Sequence, residues 1–169
     1  MISKLGASIS WKQFVGQPVL EMYEDFTPCT LFRVMNKNTK NVVLREKDAQ
    51  LRKNIRSFDY IELYNQIHPP SGVYVQPNGM GVSPFGSKLT NKLTGYSGEA
   101  SVFEIPQGCS IPEDLLLVHE FEDSFSFQPR NRCNPKEFCK ILSAYLGQFN
   151  RYSKKDWFQK YHIKSNFTS

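Results

Sequence analysis

The stretch Phe103–Val118, FEIPQGCSIPEDLLLV, contains two Ile-Pro steps with a glycine between them. Proline locks its own φ and restricts the residue before it, so Ile105-Pro106 and Ile111-Pro112 hold the chain stiffly on either side of Gly108. The apolar run Leu115–Val118 follows directly. We therefore expect a rigid loop between two buried strands, the first of which ends at Ile105. Such a loop either joins two strands and does no more, or forms a fixed wall beside a site.

Further strands are predicted on both sides of this stretch. CTLFRVMN (Cys29–Asn36) is mostly apolar and follows a proline, which favours a buried strand entered from a turn. Val73–Val75 is a short apolar strand that leads into a Gly-rich loop, and SFSFQ (Ser124–Gln128) alternates as a strand does. Residues 88–101 have the composition of an exposed connector.

Two regions have the spacing of helices. Between Val43 and Ile67 apolar residues recur at roughly helical intervals, which predicts one or two helices that end before Pro69. The clearest helix begins at Asn134, a good N-cap that is followed by Pro135 at the first helical position. One apolar face follows at positions i, i+3, i+4, i+7, i+8 and i+11, formed by Phe138, Ile141, Leu142, Tyr145, Leu146 and Phe149.

The order of these elements bears on the fold class. Strands outnumber helices in the second half and do not alternate regularly with them, which favours a mixed α+β domain over a doubly wound sheet. The length of 169 residues is that of one domain. We expect a single domain over 1–169, with an N-terminal extension over 1–27 and a basic C-terminal helix or tail over 150–169 that Trp157 anchors.

Composition and charge narrow the function classes. The net charge of +5 is mildly basic, which helps association with anionic partners but falls short of a nucleic-acid footprint. No window of 18 apolar residues and no apolar leader segment occurs, so we expect a cytoplasmic protein without a membrane anchor; any export would use a route that needs no signal peptide. The four cysteines form no CxxC pair, and we expect thiols in a reducing compartment.

Several familiar catalytic and binding motifs are missing from the sequence. The three histidines are dispersed and no His/Cys pair has ligand spacing, so we predict no metal site. The phosphate-binding GxxxxGK[ST] loop, a complete GxGxxG and the nucleophile motif GxSxG are absent as well.

The remaining candidates are individual side chains. Arg33 lies inside an apolar strand, so it either points outward or reaches into a cleft, where its planar guanidinium suits a phosphate or carboxylate. Gly79 and Gly81 give the loop a backbone that a ligand can approach closely, and the Ser83 hydroxyl either binds that ligand or closes a turn. Glu120-Phe121-Glu122 places two carboxylates on one side if the segment is extended.

The order of these features resembles a family of toxins exported by type VI secretion, the "type six exported effector two" toxins, which have an ADP-ribosyltransferase-like fold. TLFRV (Thr30–Val34) is similar to the family's first-strand segment, and GVYVQPNGMGVSPF (Gly72–Phe85) to its Gly-rich segment. FEIPQGCSIPEDLLLV is similar to its double Ile-Pro element, the most specific piece. SFSFQP, the helix after Pro135 and FNRYSKKDWFQK (Phe149–Lys160) follow in the same order.

The resemblance implies a split mixed β-sheet with a cleft for NAD, which is the substrate, between its halves. Arg33 would contact the dinucleotide, Tyr74 and Ser83 would flank the nicotinamide, and Glu122 would be the catalytic carboxylate. The implied catalytic residues are Arg33, Ser83 and Glu122, and the implied cofactor-binding residues are Arg33, Tyr74, Gly79, Gly81, Ser83 and Ser124. Two positions depart from the family pattern: Ser124 replaces a histidine and Val82 replaces a threonine.

Three functions therefore stand as expectations. The first is a cytotoxic enzyme that transfers ADP-ribose from NAD to a macromolecule or to water, and that needs a cognate immunity protein in the cell that makes it. The second is an NAD-binding or protein-interaction module on the same fold, with its catalytic site eroded at Val82 and Ser124. The third is a basic RNA-binding protein that uses Trp157, Phe158 and the lysines of the tail.

Overall fold

The computed structural model describes residues 11–42, 69–70, 72–74, 78–161 and 163, which form seven strands, three α-helices and one 3₁₀ helix. The strands are β1 (Glu21–Tyr23), β2 (Leu31–Asn36), β3 (Met80–Pro84), β4 (Ala100–Ile105), β5 (Leu115–Phe121), β6 (Ser124–Pro129) and β7 (Asn150–Ser153). The α-helices are α1 (Ser87–Thr94), α2 (Pro135–Leu146) and α3 (Lys154–Lys160), and the 3₁₀ helix is Trp11–Phe14. These elements confirm the α+β class.

Strand β3 joins two halves of one antiparallel sheet, whose order is β1-β5-β6-β3-β2-β4-β7. Met80, Gly81 and Val82 pair with β6, whereas Ser83 and Pro84 pair with β2. The sheet therefore divides along β3 into the half β1-β5-β6 and the half β2-β4-β7. All three strands predicted around the Ile-Pro loop and in SFSFQ are confirmed, and so is the strand in CTLFRVMN.

Helix α2 covers one face of the sheet. It begins where the sequence predicts, because the Asn134 side chain accepts a hydrogen bond from the Glu137 N–H at 2.8 Å and Pro135 follows it. Its buried residues Phe138, Leu142, Tyr145 and Leu146 pack in one core with residues of β2, β3 and β6. The helix ends at Leu146, and Phe149 reaches the same core from the turn that follows.

Helices α1 and α3 cover the opposite face over the β2-β4-β7 half. Leu89 and Leu93 of α1 pack with Trp157 of α3 in a second core cluster. The predicted exposed connector over 88–101 is therefore wrong: α1 carries only two buried apolar residues, a stripe too narrow for the sequence pattern to indicate. Within the range 150–169 for which a C-terminal helix or tail is predicted, Asn150–Ser153 form strand β7 and Lys154–Lys160 form helix α3, in which Trp157 is fully buried.

The double Ile-Pro loop connects β4 in one half of the sheet to β5 in the other. Thr27 holds it: the Thr27 hydroxyl donates to the Pro106 carbonyl at 2.7 Å and accepts from the Cys109 N–H at 3.0 Å. Residues 21–23, within the predicted N-terminal extension, form edge strand β1 against β5. The helices predicted over 43–67 lie outside the described residues, and so does Val75; Val73 forms an isolated bridge with Pro18.

Candidate functional site

Arg33 lies at the junction between the two halves of the sheet. Strand β2 pairs with β3 through Leu31 and Phe32, and Arg33 is the next residue. Its guanidinium nitrogen Nη1 donates to the Gly81 carbonyl at 2.9 Å, and the side chain is half-buried. A fixed positive charge is thus held where the two halves separate.

One face of β3 and β6 is polar next to this junction. Met80 and Val82 point into the core below α2, together with Phe125 and Phe127. Side chains alternate along a strand and Gly81 pairs with Ser126, so the opposite face carries a different set of residues. We call this set the polar face; it comprises Gly81, Ser83, Ser124, Ser126 and Gln128. Ser83, Ser126 and Gln128 are buried.

A buried carboxylate is bound to the polar face. Glu120 is 8% exposed, and its Oε2 accepts from the Ser126 hydroxyl at 3.0 Å and from the Gln128 amide at 3.4 Å. The Gln128 Nε2 also donates to Ser126 Oγ at 2.8 Å, and its Oε1 accepts from the Asn78 amide at 2.8 Å. Buried carboxylates are rare unless partners hold them. We call Asn78, Glu120, Ser126 and Gln128 the Glu120 network.

Tyr74 lies beside this network. Its side chain is buried and contacts the Phe121 ring edge to face, with centroids 5.1 Å apart. Phe14 also stacks on the Phe121 ring, with centroids 4.0 Å apart. Burial, and then the charge of Glu120, raise the pKa of Tyr74 far above that of an ordinary tyrosine. Tyr74 therefore remains a neutral phenol that can donate a hydrogen bond.

Lys88 reaches the polar face from α1. Its ammonium donates to the Ser124 hydroxyl. The residue as a whole is exposed, but the atoms crowded around the ammonium displace water and lower the pKa of Lys88, although Glu120, Asp123 and Glu122 oppose that shift. The hydrogen bond to Ser124 brings a positive charge to the edge of the polar face.

Glu122 has a different environment from Glu120. It is exposed in the turn between β5 and β6 with φ of 42°, and its carbonyl accepts from His119 Nε2 at 2.5 Å. The pairing of the two strands shifts between His119 and Phe121, which interrupts the alternation of side chains. The two carboxylates therefore do not lie on one extended face, and the buried one is Glu120.

Gly79 has a structural reason to be glycine. Its φ is +78°, and a Cβ built on it would lie 2.1 Å from the Phe127 carbonyl oxygen. The close packing of β6 against the start of β3 thus requires a residue without a side chain. Gly81 pairs with Ser126 of β6, and its carbonyl accepts the hydrogen bond from Arg33.

The structure places three of the predicted site residues, Gly81, Ser83 and Ser124, on the polar face. Arg33 is bonded to the Gly81 carbonyl, but the alternation of β2 puts its side chain on the α2 side of the sheet, with Leu31 and Met35. Tyr74 lies within range of the charge of Glu120. Glu122 lies apart in the exposed turn. Sequence reasoning missed four residues of the site: Asn78, Lys88, Ser126 and Gln128. The alternation of SFSFQ already places Ser126 and Gln128 on one face, but no local pattern connects Asn78 or Lys88 to it.

Comparison with known proteins identifies one family. The family model described as Tse2 ADP-ribosyltransferase toxin matches residues 29–157. The match begins before β2 and ends within α3, so it includes Arg33, the polar face and Glu120. Comparisons with curated proteins and with solved structures gave no match. Among the described residues, no helix is long and apolar enough to cross a membrane, and no group of three His, Cys, Asp or Glu residues is arranged to hold a metal ion.

Proposed function

The chain belongs to the Tse2 ADP-ribosyltransferase toxin family, and from that membership we propose that it cleaves the nicotinamide–ribose bond of NAD and transfers ADP-ribose to a macromolecule or to water. The junction between the two halves of the sheet is the proposed binding site. One observation carries the proposal: the half-buried guanidinium of Arg33 is fixed on the Gly81 carbonyl of β3, the strand that joins the two halves of the sheet and pairs with the half that holds the buried carboxylate of Glu120.

The proposed chemistry follows from where charge appears during the reaction. As the bond between nicotinamide and ribose breaks, positive charge develops on the ribose, and a nearby carboxylate stabilises it. Glu120 suits this role because it is buried and its direction is fixed by two hydrogen bonds. Arg33 is proposed to bind the diphosphate, since guanidinium groups match phosphate oxygens geometrically. Tyr74 and Ser83 are proposed to contact the nicotinamide, and Gly79, Gly81 and Ser124 to line the site.

A matched pair of variants tests which carboxylate acts. Glu120→Gln and Glu122→Gln make the same change at the buried and the exposed position, two residues apart. We expect Glu120→Gln to lower nicotinamide release from NAD about 10²-fold or more, because it removes the stabilising charge. Glu122→Gln should remain within about threefold of wild type, because an exposed charge is screened by solvent. If only Glu122→Gln loses activity, Glu122 is the catalytic carboxylate.

Two partners are proposed beyond NAD. The first is a macromolecular acceptor of ADP-ribose, and the second is a cognate immunity protein that protects the producing cell. Calorimetry with NAD separates the enzyme from a module that binds NAD and has lost catalysis. Binding without nicotinamide release would favour the module, which Ser124 and Val82 make the second candidate. The absence of any binding would contradict both.

A further inference from the structure

We propose that Asn78 and Gln128 are positioning residues, which hold Glu120 in one direction as a carboxylate that only accepts hydrogen bonds. The proposal rests on the proposed function to the extent that Glu120 acts on NAD. It assigns a role to two neutral amides that bind each other across 50 positions of sequence. Neither residue is itself proposed to touch the reacting atoms.

The direction of the hydrogen bonds carries the inference. A glutamine amide has one donor end and one acceptor end. Because Asn78 Nδ2 donates to Gln128 Oε1 at 2.8 Å, the Gln128 Nε2 must point the other way, toward Ser126 and Glu120. If both amides were reversed, the carbonyl oxygen of Gln128 would face a carboxylate oxygen, and two acceptors would oppose each other. The network therefore has a single favourable direction while Glu120 is ionised.

Because the network is buried, the direction of its hydrogen bonds affects the stability of the Glu120 carboxylate. Glu120 and Asn78 are each 8% exposed, Gln128 is 4% exposed and Ser126 is 2% exposed. Water has little access to satisfy a group that turns the wrong way, so the protein must supply the partners itself. Two titratable groups from other segments also influence Glu120: Tyr74 and the Lys88 ammonium of α1 are both electrostatically coupled to it. Glu122 and Asp123, which lie in the turn between β5 and β6, also raise the pKa of Lys88.

Titration of Glu120 without any ligand tests the proposal. The carboxyl carbon is followed by ¹³C NMR against pH, and its signal is assigned with Glu120→Gln. Gln128→Glu replaces the donor with a second carboxyl, so the two groups would share a proton, and the midpoint should rise by at least about one pH unit. Asn78→Asp, once ionised, would accept from Gln128 Nε2 and turn the Gln128 carbonyl toward Glu120. That variant should also raise the midpoint.

The controls separate positioning from a purely structural role. Gln159→Glu makes the same chemical change at an exposed site on α3 and should leave the midpoint unchanged. Circular dichroism reports whether each variant is folded, and Gln128→Met supplies a neutral alternative if Gln128→Glu fails to fold. Midpoints in Gln128→Met and Asn78→Asp within about 0.3 pH units of wild type would overturn the proposal, because they would show that the amides do not act on Glu120.

The experiment also distinguishes this proposal from the proposed function. If wild type neither binds nor cleaves NAD, the function is wrong, but the titration still decides the role of the amides. If wild type cleaves NAD, Gln128→Glu should move the acid limb of its pH–rate profile upward, because ionised Glu120 then appears only at higher pH. If neither the acid limb of the pH–rate profile nor the titration midpoint of Glu120 moves, the proposed enzymatic function is unaffected and the positioning role of the amides is refuted.

Discussion

Substitution of Gly79 by alanine is expected to destabilise the junction between β3 and β6. The residue has φ of +78°, in the left-handed region that side chains rarely adopt. The added Cβ would lie 2.1 Å from the Phe127 carbonyl oxygen, 3.0 Å from the Phe127 carbonyl carbon and 3.1 Å from the Gln128 Cα. All three atoms belong to the backbone of β6, so no side chain can rotate to relieve the overlap.

Gly108 provides the comparison from which the magnitude is estimated. Its φ is +81°, almost the same as that of Gly79, but a Cβ there meets nothing within 4 Å. Alanine at Gly108 should therefore cost only the left-handed conformation, about 1–2 kcal/mol. Alanine at Gly79 should cost that amount and a further 1–3 kcal/mol, approximately, because the strands must move apart as they do in an overpacked core. The expected total at Gly79 is about 2–5 kcal/mol.

Urea unfolding followed by circular dichroism measures both free energies under identical conditions. The expected result is that Gly79→Ala loses at least about 1 kcal/mol more stability than Gly108→Ala. Because Gln128 lies at the point of overlap, NAD cleavage should fall in Gly79→Ala and remain close to wild type in Gly108→Ala. Equal losses of stability in the two variants would refute the reasoning, since the backbone overlap would then have no energetic effect.

Three further changes test the packing, the loop and the C-terminal cluster. Leu142→Ala removes a fully buried side chain of α2 and should lower the free energy of unfolding in urea by about 2–5 kcal/mol. Thr27→Val removes both hydrogen bonds to the Ile-Pro loop and should cost about 1–3 kcal/mol in the same assay. Burial and the hydrogen bond to Glu104 raise the pKa of Tyr161 to about 12, above its usual 10, so its ionisation should weaken the fold as pH rises from 10 to 12. Thermal melts should show that Tyr161→Phe is less stable than wild type below pH 10 and that the difference shrinks above it.

Each of these has an outcome that would contradict it. Lys140→Ala on the exposed side of α2 should change the free energy of unfolding by less than about 0.5 kcal/mol. A loss as large as that of Leu142→Ala would show that burial in the core is not what makes Leu142 important for stability. If Thr27→Val leaves the free energy of unfolding unchanged, the Ile-Pro loop does not depend on the Thr27 hydroxyl for its stability. A difference between Tyr161→Phe and wild type that stays constant up to pH 12 would exclude ionisation of Tyr161 as its cause.

The elements that the sequence predicts correctly are those with strong local signals. Helix α2 has an N-cap, a proline at its first position and a long apolar face; the structure confirms the first two and buries four residues of that face, whereas Phe149 lies beyond the end of the helix. Helix α1 was missed because Leu89 and Leu93 are its only buried residues. Strands β1 and β7 have three and four residues, too few for alternation to be recognised.

Some residues of the site can be recognised from their local sequence, whereas others depend on contacts between distant segments. Arg33 and Ser83 stand out in the sequence because a charge and a hydroxyl occur within apolar or Gly-rich segments. The distinction between Glu120 and Glu122 depends on a pairing shift at the end of β5, which no spacing of residues reveals. The contact of Asn78 with Gln128 depends on β3 lying beside β6, and that pairing exists only in the folded sheet.

The most direct test of the proposed function is a pair of measurements on the purified wild-type chain and on Arg33→Gln. Calorimetric titration with NAD reports binding, and mass spectrometry of the same samples reports released nicotinamide. We predict that wild type binds NAD and releases nicotinamide, and that Arg33→Gln, while still folded, binds at least about tenfold more weakly because it lacks the charge that would hold the diphosphate. If wild type gives neither heat of binding nor nicotinamide, or if Arg33→Gln binds NAD as tightly as wild type, the proposed site at the junction of the two half-sheets is contradicted.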